Sequence, residues 1–290
     1  MLPNASHELR VVLSGWAAKP MAMLLSSFRE VILIDADVLF FVDPALLLSD
    51  PEYLRLGALF FRDRLLAPAD HADFITESLP SPLSQNILQS NRWWSGTSQH
   101  MQESGVVVVD KWRHFVALLL ATRLNGPDRD GNDALGKKGV YQMMYGDKET
   151  FWLSWEMAGD TDYAFYDGRA GQIGIVTPSS TEIGRVDEEE MCGKQLLHTS
   201  REGRPLWLNG WIATNKDRED DLTSFANFEG FVTEPSETAK WDPHYWNGWK
   251  VREGNIMCLA SDGYAPLSAE ERKTVEMIFR TAEKVVASGV

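Results

Sequence analysis

An α/β fold, with a mixed and mostly parallel sheet flanked by helices, is predicted by three features of this 290-residue sequence. Apolar runs of strand length alternate with longer helical patterns. Val31–Ile34 and Gly105–Val109 carry no polar side chain, as strands covered on both faces do. The first of them, within "REVILIDADVLFFVDP" at 29–44, runs straight into Asp35 and Asp37, and strand ends are where open α/β sheets bind ligands.

The elements follow in order. Residues 16–28 suit a helix that tolerates Pro20 in its first turn. After the strand 31–34, Asp43 offers an N-cap with Pro44 at the first helical position. Ala58–Phe61 reads as a short strand ending in charges, and residues 67–101, polar and rich in Pro and Ser, as a long excursion with one helix. Gly105–Val109 then leads through Asp110 into a helix stopping near Asn125-Gly126. Asp147 is a plausible cap for the next helix, with Gly159 as its stop; 163–265 reads as short strands, turns and aromatic loops. Ser268 and Glu271 form a capping box for the last helix. With no repeat, low-complexity tract or linker, 1–290 reads as a single domain.

Composition excludes several classes. A formal net charge of -14 argues against a nucleic-acid partner. No apolar run reaches the about 18 residues of a membrane span, and residues 1–13 carry no signal-peptide core. Cys192 and Cys258 fit neither a zinc ribbon nor a CxxC motif; they are either one disulfide or two buried thiols. The sequon Asn4-Ala5-Ser6 is short enough to arise by chance. Eleven tryptophans, many clustered (Trp93-Trp94, Trp152 and Trp155, Trp207 and Trp211, Trp241, Trp246 and Trp249), serve either as sugar-stacking faces or as core filling.

Two acids at the end of a buried strand demand a cation, because unpaired they cost several kcal/mol of desolvation and repulsion. In extended chain, residues i and i+2 point the same way, so Asp35 and Asp37 can share one ion. Hard oxygen ligands suit Mg²⁺ or Mn²⁺ with positions left for substrate phosphates. In "LLHTSREGRPLWLNG" (196–210), His198 at a second strand end could complete that shell. Arg204, beside Gly203 in a Gly-Arg-Pro turn, could neutralise a phosphate. The plainer account is a core histidine beside a surface arginine. In "YGDKETFW" (145–152), Asp147 and Glu149 read either as helix-start acids or as carboxylates facing a sugar. Glu103 and Ser104 sit just before a buried strand, as a loop over the cleft or a polar turn.

Taken together, "WAAKPMAMLLSSFREVILIDADVLFFVDP", "GALFFRDR", "QESGVVVVDK", "YGDKETFW" and "LLHTSREGRPLWLNG" resemble, in order, the blocks of the fungal Golgi α-1,3-mannosyltransferase family. That resemblance, which runs from about Gly15 to the last helix, implies a GT-A-like nucleotide-diphospho-sugar transferase fold. It implies GDP-mannose as donor, Mn²⁺ (or Mg²⁺) as cofactor, and transfer of mannose with retention to a mannose-bearing glycan of a glycoprotein. It gives Asp35, Asp37 and His198 to the metal, and Lys19, Arg204, Gly203 and Glu103 to the donor. Asp147 and Glu149 face the reacting mannose. Few residues precede Asp35, so the early nucleobase-binding strands of that fold, and the anchor of a type II Golgi protein, are expected outside this sequence. A Golgi lumen would pair Cys192 with Cys258.

Two rivals carry sequence features of their own. "VILIDADVL" also suits a haloacid-dehalogenase phosphatase, but Phe151 and Trp152 stand where its second distal acid belongs. An inactive, glycan-binding relative would keep the tryptophan clusters without holding a nucleotide.

Overall fold

The computed structural model describes residues 14–178, 189–212, 225–235, 248–261 and 263–287. The chain forms two compact units. The first holds residues up to Asp35 with Ala45–Asp63 and Ala67–Tyr166; the second holds Ala36–Pro44, Arg64–Leu66 and the chain from Asp167 onward.

The first unit is built on β1 (Glu30–Ile34), β3 (Ala58–Arg62), β4 (Gln102–Asp110) and β5 (Ala164–Phe165), in the order β1-β4-β3-β5. Only β3 and β5 are parallel; β4 runs antiparallel to both neighbours. The expected predominance of parallel pairing is therefore not found among the described strands. A continuous apolar run reports cover on both faces, and β4 has that cover in an antiparallel setting: Val106 to Val109 are all fully buried. Each such side chain contributes about 1.5–3 kcal/mol on transfer from water. The helices Ala18–Leu25, Phe115–Leu124 and Thr150–Met157 belong to the same core, with Met23, Leu118, Trp152 and Trp155 packed among the valines.

Local boundaries follow local chemistry. Pro44–Ser49 is a 3₁₀ segment, and a second cap stands at Asp50, whose Oδ1 accepts from Glu52 N at 2.9 Å and starts the helix Pro51–Leu56. That helix ends at Gly57, φ 83°, where a Cβ would lie 2.9 Å from the Arg113 and His114 side chains. The 67–101 stretch contains three short helices rather than one: Ala72–Ser78, Gln85–Ser90 and Arg92–Ser95, the last two capped by Ser84 and Asn91. β4 begins three residues earlier than its apolar run, because Gln102, Glu103 and Ser104 are buried polar residues with partners inside the unit.

Among the described residues the second unit is mostly β, with a 3₁₀ turn at Glu253–Asn255 and one α-helix at its end. β2 (Val38–Phe40), β6 (Ala170–Pro178), β7 (Glu189–Gly193), β8 (Leu196–Thr199), β9 (Pro205–Asn209), β11 (Trp249–Arg252) and β12 (Ile256–Ser261) lie in the order β11-β12-β7-β6-β8-β9-β2. β10 (Gly230–Thr233) joins β6 to β13 (Ala265–Pro266), and every pairing described here is antiparallel. Gly174 lets β6 meet its neighbour, since a Cβ there would stand 1.9 Å from the Cys192 carbonyl oxygen. Cys192 on β7 faces Cys258 on β12, and the two form a disulfide. Glu190, 1% exposed, is neutralised by Arg252 at 2.7 Å and by Lys250. The capping box forms as read: Glu271 N donates to Ser268 Oγ at 3.2 Å, and Ser268 N to Glu271 Oε2 at 2.6 Å, opening the helix Ala269–Ala287.

Candidate active site

In the first unit, three of the sequence's blocks supply one cluster around a lysine. Lys19, on the helix 18–25, places its Nζ 2.8 Å from Asp35 Oδ2 and 3.3 Å from Asp147 Oδ2. The same ammonium donates to Ser104 Oγ at 3.2 Å and to the Ser104 carbonyl at 3.3 Å. Each element has a local reason to be there. Asp35 N donates to Gly105 O at 2.9 Å, so the β1–β4 pairing carries the acid to the level of Ser104. Asp147 precedes the helix 150–157, where its carbonyl, not its carboxylate, accepts from Thr150 N and Oγ1. The expected side-chain cap is thus replaced, and the carboxylate turns to Lys19.

The electrostatics follow from burial. Desolvation pushes the Asp147 carboxyl up to about 6; the charge of Asp35 adds to that, while Lys19 opposes it. Lys19 loses solvent as well, yet the two acids around it outweigh that and hold its pKa above the ordinary lysine value. β1 is a half-buried edge strand with Ile34 exposed, not the strand covered on both faces that its apolar run predicts; the cation that meets Asp35 at its tip is this ammonium.

A second lysine organises a neighbouring pair. Lys148 lies 2.6 Å from Asp63 Oδ2 and 2.8 Å from Glu103 Oε2, and Glu103 Oε1 accepts from Gly105 N. Glu103 therefore stands within β4, a buried acid bound to a cation and to its own strand. Asp63 drew no separate attention in the sequence, although an acid directly after the buried run of β3 repeats the signal that marks Asp35. Glu149 differs from Asp147. Fully buried, it accepts from Met101 N at 3.0 Å and from Trp152 Nε1 at 2.6 Å. Both oxygens are committed to protein donors, so the carboxylate acts as an internal anchor.

The second unit holds the remaining candidates. Asp37 directly precedes β2, and its carbonyl accepts from Gly210 N at 3.1 Å and Trp211 N at 2.8 Å. Trp211 has φ 62°, a left-handed conformation that this double bond helps to hold. His198 is buried, with its ring stacked 3.9 Å from that of Trp207 at 16°. Gly203, φ 73°, serves the 200–204 turn, in which its N–H donates to Ser200 O. Arg204 Nε donates to Glu271 Oε1 at 3.0 Å, and its guanidinium lies 5.1 Å from the Phe231 ring. Arg204 thus already has a carboxylate, that of the final capping box. Burial would raise Glu271, but its bonds to Arg204 and Ser268 hold it below the usual carboxylate range.

Asp35 and Asp37 do not lie in one extended stretch, as their i, i+2 spacing predicts, because the chain turns at Ala36–Asp37 between β1 and β2; by chemistry alone their carboxylates are the hard oxygen donors that Mn²⁺ or Mg²⁺ takes. Among the described residues, the group of three potential ligands whose atoms lie close together is Glu190, Cys192 and Cys258 in the second unit, but its sulfurs are bonded to each other and do not ligate. Of the tryptophan clusters, Trp93, Trp152, Trp155, Trp207 and Trp249 are core residues. Trp241 and Trp246 lie outside the described residues.

Residues 3–200 match the family model described as "Mannosyltransferase putative". The chain is 31% identical over 77% of its length to "Putative alpha-1,3-mannosyltransferase MNN15" of Candida albicans, covering 31% of that protein. It is 30% identical over 72% of its length to "Alpha-1,3-mannosyltransferase MNT3" of Saccharomyces cerevisiae, covering 36% of it. The similarity to "Alpha-1,3-mannosyltransferase MNT2" of the same yeast is 25% over 72%, covering 38%. The chain thus spans about a third of the length of these curated relatives.

Proposed function

Because this chain belongs to the mannosyltransferase family that it matches over residues 3–200, we propose that it acts in transferring mannose from GDP-mannose to a mannose-bearing glycan of a glycoprotein. In this reading the new linkage is α-1,3 and the anomeric configuration is retained. The observation that carries the reading is the Lys19–Asp35–Asp147–Ser104 cluster, in which the family's separate sequence blocks meet around one buried ammonium. Asp35, Asp37 and His198 would hold the divalent ion. When bound, that ion supplies positive charge for the diphosphate leaving group. Lys19 supplies a fixed cation beside Asp35 and keeps the Asp147 carboxylate in place. Asp147, with a pKa of about 6, is mostly ionised at neutral pH and is the acid suited to orient or stabilise the reacting sugar. Glu149, in contrast, positions the start of the helix from below. A Golgi lumenal setting agrees with the Cys192–Cys258 disulfide, since such bonds persist in oxidising compartments. No described helix is long and apolar enough to cross a membrane.

The test is transfer from radiolabelled GDP-mannose to an α-mannobiose acceptor, with Mn²⁺ and then with EDTA. We expect transfer that needs the metal and falls at least about a hundredfold in Asp35→Asn, the scale of losing one charge-stabilising group. Equal turnover by that variant, or turnover indifferent to chelation, refutes the metal assignment. Release of phosphate from simple phosphoesters instead would favour the phosphatase.

A further inference from the structure

The first unit carries a cleft of about 580 Å³ that none of the candidate active-site residues line. Trp112, Arg113 and Phe115 form one wall; Asp160, Thr161 and Asp162 form the other. It lies past the far end of β4 from Ser104: six residues separate Ser104 from Asp110, about 20 Å of extended strand. From this cleft we propose a second carbohydrate site, one that holds a neutral hexose oligosaccharide away from the reacting centre.

Three observations support the ligand class. First, Trp112 is 79% exposed, against five fully buried tryptophans elsewhere, and it is held outward. Its backbone N–H donates to Asp110 Oδ1 at 3.0 Å, and the Arg29 guanidinium lies 5.7 Å from its ring centre. Arg29 is itself locked to Asp110 by bonds of 2.6 and 3.1 Å. A large apolar ring fixed in water is a preorganised platform for the C–H face of a sugar. Second, the opposite wall is rigid. His114 bridges Asp160 Oδ2 at 2.7 Å and the Leu56 carbonyl at 2.8 Å, and Asp160 Oδ1 accepts from Asp162 N. The Asp162 carboxylate and the Thr161 hydroxyl make no hydrogen bond among the described residues. Both line the opening as ready partners for hydroxyl groups. Third, the charges are mixed. Asp160 and Asp162 repel nucleotides and phosphates, while Arg113 and Arg29 disfavour a basic peptide. A neutral polyol meets neither penalty.

The role as a second glycan-anchoring point rests on the proposed transferase reading; the binding itself does not. Titration calorimetry and saturation-transfer NMR, with neither donor nor metal present, would use α-mannotriose, a gluco-oligosaccharide and an arginine-rich peptide as probes. We expect millimolar-range binding of α-mannotriose, weakened about tenfold or more in Trp112→Ala and severalfold in Asp162→Asn. Lys19→Met and Asp35→Asn should bind the sugar as the parent does, which separates this site from the reacting centre. Since Trp112 is exposed, Trp112→Ala should keep its thermal midpoint, so loss of binding is not loss of fold. No detectable saccharide binding, equal affinity in Trp112→Ala, or binding of the peptide in place of the sugar overturns the proposal, whatever becomes of the transferase activity.

Discussion

Replacing Lys19 by methionine removes a cation that Asp35 and Asp147 share, while keeping most of the side-chain volume. At an effective dielectric of about 20, charges 2.8 and 3.3 Å apart attract by roughly 6 and 5 kcal/mol. Most of that offsets the cost of taking three charged groups out of water. Removing one partner from a buried ion pair leaves the other charge unpaired, and the net loss is about 3–5 kcal/mol. The loss should depend on pH. Asp147 has its pKa raised in the folded state, to about 6, and without Lys19 it rises further. A carboxyl shifted upward favours the folded state below its unfolded value near 4 and loses that contribution as pH rises through the folded value. Lys19→Met should therefore be about 3–5 kcal/mol less stable than the parent at pH 7, and its deficit should shrink by about 1 kcal/mol at pH 4.5, where Asp147 is protonated in both and only the lost pairing with Asp35 remains. Urea unfolding followed by tryptophan fluorescence at the two pH values, in metal-free buffer, measures both. A deficit under about 1 kcal/mol at pH 7, or an equal deficit at both pH values, refutes the reasoning, because the ammonium would then not be what neutralises Asp147.

Other perturbations probe the scaffold. Glu149→Ala orphans Met101 N–H and Trp152 Nε1–H in the core, and at about 1–3 kcal/mol each the variant should lose roughly 2–5 kcal/mol in urea unfolding; Glu149→Gln, which keeps one acceptor, should lose less. Reducing the Cys192–Cys258 bond, or replacing both residues by serine, releases a closed loop of 66 residues and should lower stability by about 4 kcal/mol, seen as a lower thermal midpoint in reducing than in oxidising buffer. Glu271→Gln weakens both the capping box and the Arg204 partner, and the helix 269–287 should fray first, as hydrogen exchange at its first turn would show.

Local signals carried much of this fold. The Ser268 cap, the Gly159 stop and the apolar run of β4 depend on neighbours within a few residues, so sequence alone exposes them; the Asp50 cap and the Gly57 stop are equally local, but the sequence reading places its cap at Asp43 instead. The same reading sets the start of β4 too late, because a polar residue belongs to a buried strand whenever a distant partner satisfies it. Ser104 meets Lys19, and Glu103 meets Lys148, across long stretches of chain. Strand direction was equally out of reach: an apolar run states that both faces are covered and nothing about which way the next strand runs.

Asp35 stands out in the sequence as an acid at the end of an apolar run and Asp147 as an acid at a helix start, and that much the sequence by itself determined; Lys19 is reached only through the family resemblance. Whether Asp147 or Glu149 would turn toward the lysine was decided only in the folded chain. The two acids lie one residue apart at a helix start, where their directions diverge, and the donors each could reach, Lys19 for one and Met101 with Trp152 for the other, come together only when the tertiary structure forms.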